Sequence, residues 1–372
     1  MRIDIATLFP QMCAAVFGES IVGRGIKNGF IEIYAHDIRS FTEDKHNRVD
    51  DKPYGGGTGM VMQAQPVYDC VKAICAQHKT PPRVIYMSPQ GETLSQAKVK
   101  ELAAEEGLVL LCGHYEGVDQ RVLDELCVEE ISVGDYVLTG GELPALILAD
   151  AVARLQKGVL PNEDAYSIES HEGGLLEYPQ YTRPEVWRGR GVPQTLLSGD
   201  HSTVAAWQHS AALKVTAAKR PDMFKAHIAE VQERFMREFI AAKALPEDTR
   251  CAFRCFGADE ESARAQLKLV TRGKKRAAAR LKSEYDNAGE PLPKRGDYTA
   301  ITDIYGEPVC AVQTFAVHIL RADELPHELM QREDGSAEAW RENHAGLSGG
   351  ELVVAEEFRL VYKRSARKEE EQ

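Results

Sequence analysis

The sequence predicts a multidomain α/β protein whose first half is built on a largely parallel sheet. Three observations predict it. From Arg2 to Gln156, apolar runs rich in branched residues alternate with stretches of helical periodicity, the order that lays parallel strands side by side with helices across them. From about Pro161 to Gly199 that alternation lapses into a segment dense in Gly, Pro, Ser and charge, too long for an ordinary connection inside a compact domain. After Ala244-Leu245-Pro246 a different pattern begins, and 372 residues leave room for roughly two or three domains.

The elements follow in order. Arg2 to Phe9, Phe30 to Tyr34, Val84 to Met87 and Leu108 to Cys112 read as buried strands bounded by turn residues. Pro66 to Gln77, Ser95 to Glu106 and Glu142 to Gln156 repeat apolar residues at helical spacing, with Ser95 placed to cap the second. Beyond the irregular segment come two helices, Ser202 to Lys219 and Pro221 to Lys243, the latter with Pro at its first position. A helix over Glu260 to Val270, a basic turn, and strands near Tyr298 to Asp303, Val309 to Ile319 and Val353 to Val361 make an α+β domain. The expected organisation is therefore an α/β domain over 1–160, a mobile linker or lid over 161–199, a helical subdomain over 200–245, an α+β domain over 250–362 and a charged, disordered tail over 363–372. No internal repeat emerges at any useful period.

Composition narrows the class. No apolar run is long enough for a membrane helix, and Met1 to Pro10 lacks the basic-then-apolar order of a signal peptide, so the expectation is a cytoplasmic protein with no membrane partner. The eight cysteines form no Cys-x-x-Cys pair and have no histidine pairs at finger spacing, which predicts free thiols and no structural metal. A net charge of −12 argues against a nucleic-acid partner only on average. Phosphate binding needs local cations, and Arg183 to Arg190 with Lys214, Lys219 and Arg220, then Lys274, Lys275, Arg276, Arg280 and Lys282, offer two basic segments. Solvated helix faces produce such runs as well.

Three glycine-rich segments sit directly after predicted strands, where open α/β sheets place ligands. They are Tyr54-Gly55-Gly56-Gly57-Thr58-Gly59-Met60, then Gly113-His114-Tyr115-Glu116-Gly117-Val118-Asp119-Gln120-Arg121, then Ser132-Val133-Gly134-Asp135-Tyr136-Val137-Leu138-Thr139-Gly140-Gly141-Glu142-Leu143-Pro144. None ends in the Gly-Lys-Ser/Thr of a phosphate loop and none has the full dinucleotide spacing, which excludes an ordinary nucleoside triphosphatase. Each alone reads as a turn that caps a strand.

Together with Ser88-Pro89-Gln90-Gly91 and Tyr181-Thr182-Arg183-Pro184-Glu185-Val186-Trp187, these segments resemble the bacterial tRNA (guanine-37-N1)-methyltransferase family over about Met1 to Lys243. The resemblance implies a knotted SPOUT-type α/β fold, an obligate homodimer, a tRNA substrate, a Mg2+ requirement with Glu116 near the methyl donor, and S-adenosylmethionine as that donor. Carried over by position, the donor lies against Tyr86, Ser88, Pro89, Gly113, Glu116, Val133, Gly134, Asp135, Tyr136, Val137, Leu138, Gly140, Gly141 and Pro144. The chemistry is consistent with such a site. A sulfonium methyl is already activated, so the enzyme must align the reactants, take the proton from guanine N1 and stabilise charge spreading to O6. The resemblance assigns these tasks to an Asp and an Arg. Arg154 matches the arginine; the place of the Asp is held by Glu169, in Ile168-Glu169-Ser170-His171-Glu172-Gly173-Gly174-Leu175-Leu176, with Ser170 beside it and Asp164, Glu172 and Glu177 in reserve. Arg183, Arg188, Lys214 and Arg220 are the candidate tRNA contacts. Gln180 stands where the family often has a histidine.

From about Arg250 to Tyr362 the chain resembles the ASCH superfamily, small barrels related to RNA-binding PUA domains. Val270-Thr271-Arg272-Gly273-Lys274-Lys275, Gly289 to Tyr298 and Trp340-Arg341-Glu342-Asn343-His344 carry the resemblance. Some relatives are amidohydrolases that act on modified nucleosides through a Lys, a Thr and a Glu. Lys275 matches the lysine, while Ala278 replaces the threonine, which favours binding of RNA or nucleoside over hydrolysis. Two rival readings remain beside a methyltransferase: a tRNA-binding protein on a degenerate methyltransferase scaffold, and a nucleoside amidohydrolase acting through the ASCH-like domain.

Overall fold

The computed structural model describes residues 1–160 and 169–364, which fall into two compact units, Met1–Gly173 and Gly174–Gln372. Asp164 and the tail from 365 onward lie outside the described residues.

The strands of the first unit are β1 (Arg2–Thr7), β2 (Glu32–Asp37), the two-residue pair β3 (Asp50–Asp51) and β4 (Val61–Met62), β5 (Arg83–Thr93), β6 (Gly107–Cys112) and β7 (Glu129–Ser132). Its helices are α1 (Pro10–Phe17), α2 (Ser20–Lys27), α3 (Ala64–Cys75), α4 (Gln96–Ala103), α5 (Gln120–Leu126) and α6 (Glu142–Ala153). The five longer strands form a sheet in the order β2-β1-β6-β5-β7 with every neighbour parallel. Strand β6 is buried along its whole length, as a central parallel strand covered on both faces must be. Its side chains alternate between two cores: Leu108, Leu110 and Cys112 face a layer that includes Leu146 and Val152 of α6, and Val109 and Leu111 face Val67, Val71 and Ile74 of α3. Ser95 caps α4 by accepting a hydrogen bond from the Lys98 amide at 3.3 Å, as its position suggests.

Two departures from the sequence reading bear on the site. Strand β5 does not stop at Met87. Residues Ile85 to Met87 pair with Glu129 to Ile131, then Glu92 and Thr93 pair with Ile131 and Ser132, so Ser88-Pro89-Gln90-Gly91 arches out between two stretches of one ladder. Helices α1 and α2, which periodicity does not reveal, fill residues 10–27; α2 contains two glycines and is held by packing, with Gly25 against Val159 and Ile31.

The second unit contains the hairpin of β8 (Val186–Trp187) and β9 (Arg190–Gly191), helices α7 (His201–Lys219) and α8 (Pro221–Lys243), then β10 (Cys251–Cys255), α9 (Glu260–Thr271), β11 (Ala277–Leu281), α10 (Lys282–Ala288), β12 (Tyr298–Thr302), β13 (Pro308–Arg321), α11 (His327–Asp334), α12 (Ala337–Asn343) and β14 (Leu352–Lys363). Its sheet runs β10-β12-β13-β14-β11, parallel between β10 and β12 and antiparallel elsewhere. Register shifts in the long β13–β14 ladder curl the sheet into a half-barrel. The helices of 200–245 and the region after Arg250 share one core: Phe235 and Phe239 of α8 are fully buried against Ala300 and Ala311, edged by Tyr298 and Tyr362. Lys363, the first residue of the expected tail, closes β14. All eight cysteines are free thiols, and burial pushes Cys70 and Cys310 up to about 12. Among the described residues no helix is long and apolar enough to cross a membrane.

Candidate active site

The three glycine-rich segments and the β5 arch meet at the C-terminal ends of β5, β6 and β7. Backbone bonds join them. The Gly141 amide donates to the Gly113 carbonyl at 2.8 Å, and His114 pairs with Gly140 as an isolated bridge. On the other side the Glu116 amide donates to Met60 at 2.9 Å and the Met62 amide to Gly117 at 2.9 Å, which ties the first segment to the second. Two glycines are demanded by this crossing of chains. A Cβ on Gly141 would lie 2.8 Å from Cys112 Cα, and one on Gly91 would lie 2.3 Å from the Glu130 carbonyl carbon.

The crossing encloses a cavity of about 370 Å³, within the range of small-molecule sites. Tyr86, Ser88, Pro89, Gly113, Glu116, Val133, Gly134, Tyr136, Val137, Leu138, Gly140, Gly141 and Pro144 all line it; Asp135 does not. His114, Tyr115, Gln90, Glu130 and Thr139 line it too. The first two stand inside the Gly113 to Arg121 motif, so that motif itself held the signal for them. His114 Nδ1 is buried with no hydrogen-bond partner among the described residues, which leaves one imidazole atom for a bound group. Glu142, at the first turn of α6, is buried and accepts from Thr7 Oγ1 at 2.8 Å, fixing the chain as it leaves the third loop. Burial pushes the Tyr86 phenol above its ordinary value, keeping it a neutral hydroxyl. A wall of main-chain polar groups, apolar side chains at the mouth (Val137, Leu138, Tyr136) and two acidic residues, Glu116 and Glu130, suits a ligand with a nucleoside part and a cationic centre.

Arg154 caps the C-terminus of α6 and holds Glu169 in a two-bond fork: Nη1 donates to Oε2 at 2.6 Å and Nη2 to Oε1 at 2.8 Å. The guanidinium holds the Glu169 carboxyl below the usual carboxylate range. Both side chains are about one-third exposed. Ser170 follows directly. Of the reserves, Glu172 is engaged by Lys100 and by Gln96 at 3.1 Å, and Glu177 belongs to the second unit. Neither Arg154, Glu169 nor Ser170 lines the cavity. Arg154 instead continues a face of α6 on which Leu143 and Ile147 stand 46 % and 49 % exposed, beside the exposed Met12 and Val16 of the neighbouring α1.

In the second unit Arg183 is exposed, Arg188 lies over the Trp187 ring at 4.9 Å, Lys214 is exposed on α7, and Arg220 at the α7–α8 junction pairs with Asp222 at 2.7 Å. Lys275 is buried. Its Nζ donates to the Glu333 carbonyl at 3.3 Å, lies 3.6 Å from the Glu333 carboxylate and 3.8 Å from Asp334, and sits over the Phe256 ring. It therefore presents no cation to the surface, and Arg280 is likewise engaged, by Glu284 and Glu290. Ala278 is buried in β11. Among the described residues no group of three or more His, Cys, Asp or Glu is arranged to hold a metal ion.

Comparison with known proteins matches this architecture at both ends. The family described as tRNA (Guanine-1)-methyltransferase TrmD matches residues 1–226, and the ASCH domain family matches residues 252–362. A tRNA (guanine-N(1)-)-methyltransferase of Ruminiclostridium cellulolyticum is 55 % identical over 224 residues, 60 % of this chain and 96 % of its own. Those of Lachnospira eligens and Alkaliphilus oremlandii are each 48 % identical, over 235 and 248 residues, 63 % and 65 % of this chain and all of their own. The first unit thus has the knotted SPOUT architecture, and the chain belongs to the tRNA (guanine-N1)-methyltransferase family of enzymes, extended by a C-terminal ASCH domain.

Proposed function

We propose that this enzyme methylates N1 of guanosine 37 in tRNA with S-adenosylmethionine as donor, using Glu169 as general base and Arg154 to stabilise charge on O6. The observation that carries the reading is the Arg154–Glu169 fork. The edge of guanine to be modified presents a donor, N1–H, beside an acceptor, O6. A carboxylate beside a guanidinium is its complement, so guanine inserted between them replaces the two bonds the pair makes to itself. Opening the pair costs little, since a salt bridge this exposed is worth only ~0–1 kcal/mol. Held in the same orientation, adenine sets its N1 acceptor against the carboxylate and its amino donor against the guanidinium.

The cavity is the proposed donor site. When bound there, S-adenosylmethionine supplies a methyl group on a good leaving group. The chain's own residues do the rest. Main-chain groups around Gly113 and Gly141 orient the ligand, Glu116 offers a carboxylate toward a positive centre, Glu169 accepts the N1 proton, and Arg154 faces the developing negative charge on O6. With no acidic cluster among the described residues, Mg2+ would be held by Glu116 together with water or RNA phosphate.

Two chains are proposed to build each site. The fork lies outside the cavity of its own chain, on a face of α6 that carries exposed apolar residues; a second copy covering that face would bring one chain's fork to the other's cavity. The test is methyl transfer to an unmodified tRNA carrying guanosine 37. Glu169→Gln is expected to lower kcat at least ~100-fold while donor affinity by titration calorimetry is unchanged; full activity in that variant would exclude Glu169. Donor binding without methyl transfer in the wild-type chain would favour the tRNA-binding reading on a degenerate scaffold.

A further inference from the structure

We propose that the groove between α7 and α9 binds the phosphate backbone of the substrate tRNA, so that the ASCH domain supplies one wall of the RNA surface. The inference rests on tRNA as substrate and adds where the appended domain meets it. The groove encloses about 820 Å³. One face of α7 lines it with Trp207, Lys214 and Lys219, and α9 faces them with Arg264 and Glu260. In a chain of net charge −12, three cations against one carboxylate make a local positive stripe. Arg264 is 63 % exposed and pairs with Glu260, one helical turn away at 2.9 Å; an exposed pair at that spacing is weak, so a phosphate can take the guanidinium. Trp207, with Tyr178 and Tyr181 at 6.4 and 6.3 Å, adds aromatic faces on which an unstacked base can rest.

The two walls are fixed before any ligand arrives. Glu260 accepts from Ser210 of α7 at 2.9 Å. Glu307, in the β12–β13 turn, meets His209 of α7 at 2.7 Å and His227 of α8 at 3.0 Å, and Phe235 and Phe239 root α8 in the sheet. A groove that need not be ordered on binding loses less affinity to entropy.

The test uses the full chain and direct binding of an unmodified tRNA transcript across a salt series. Arg264→Glu is expected to weaken binding roughly tenfold and to lower the slope of log affinity against log salt by about one. Lys219→Glu, from the other wall, should act in the same way, and Arg264→Lys should restore most of the loss. Arg237→Glu is the control: it makes the same charge change on an exposed face of α8, where Arg237 pairs with Glu233. In turnover the Arg264→Glu defect should appear in KM for tRNA, with kcat at saturating tRNA within about twofold. Unchanged tRNA affinity in Arg264→Glu, as a peptide occupant would give, overturns the proposal; so does an equal loss in Arg237→Glu. Binding read without turnover keeps the two readings apart, because a chain that binds tRNA but does not methylate it overturns the catalytic reading alone.

Discussion

A carboxylate held by two guanidinium hydrogen bonds is a weaker base than one in water, yet it is reliably ionised. Glu169 is in that state: Arg154 holds its carboxyl below the usual range, so the group remains deprotonated well into acid. The acid limb of kcat/KM, which reports the free enzyme, should lie below the ordinary carboxylate value, and Arg154→Ala should move it to higher pH as Glu169 relaxes upward, with kcat reduced. A pH profile of the variant that keeps its limb in place would separate Arg154 from Glu169 functionally. The sequence shows both residues at motif positions, since each sits at a fixed distance from the third glycine loop or the paired leucines. It does not show that they bind each other, because nothing local to Arg154 or Glu169 encodes which carboxylate fills the fork.

The strands and helices of the site were legible where composition is simple and hidden where packing overrides it. β6 reads as an unbroken apolar run and α4 announces its cap, whereas α2 spends two of its eight residues on glycine and survives only because Val159 and Ile31 press against it. The continuation of β5 past its arch has the same character: Pro89 and Gly91 break the pattern of a strand, and only β7, forty residues later, reveals that the ladder resumes. Gly91 is the residue that lets the two strands touch. Gly91→Ala would set a methyl 2.3 Å from rigid Glu130 backbone, so it should cost about 1–3 kcal/mol by thermal melting and weaken donor binding together with stability, since the displaced strands carry Ser88 and lead directly into Val133. A melting temperature equal to wild type would show that the arch has slack. On α6 the test is the opposite kind: Ile147 is half exposed, so Ile147→Lys should leave the fold intact. If that face is covered by a second copy, sedimentation should report a monomer, and methyl transfer should vanish while the cavity still binds donor.

Whether the ASCH domain is a tethered module or part of a larger body turns on α8. Its sequence gives a helix but not its partner: Val231, Phe235 and Phe239 recur at helical spacing and would fit any apolar surface, so reading residues 200–245 and 250–362 as separate pieces is natural from periodicity alone. The partner surface is spread over Tyr298 and Ala300 of β12, Ala311 of β13 and the distant Tyr362 of β14, and no short window of residues displays it. The consequence is cooperative. Phe239 is fully buried, and Phe239→Ala should cost about 3–5 kcal/mol. Because the residue belongs to both the helical pair and the sheet, the loss should lower the unfolding of the two together. Calorimetry of the full chain would show it as a single transition of the second unit moving to lower temperature, with the transition of the first unit left where it was. Two separable transitions, one for the helices and one for the sheet, would instead mean that the shared core is weak and that the ASCH domain folds by itself. The same coupling predicts that cutting the chain after Lys243 uncovers Phe235 and Phe239 and yields a protein prone to aggregate, so the contribution of the appended domain to tRNA binding is better measured with point variants at its surface than by deletion.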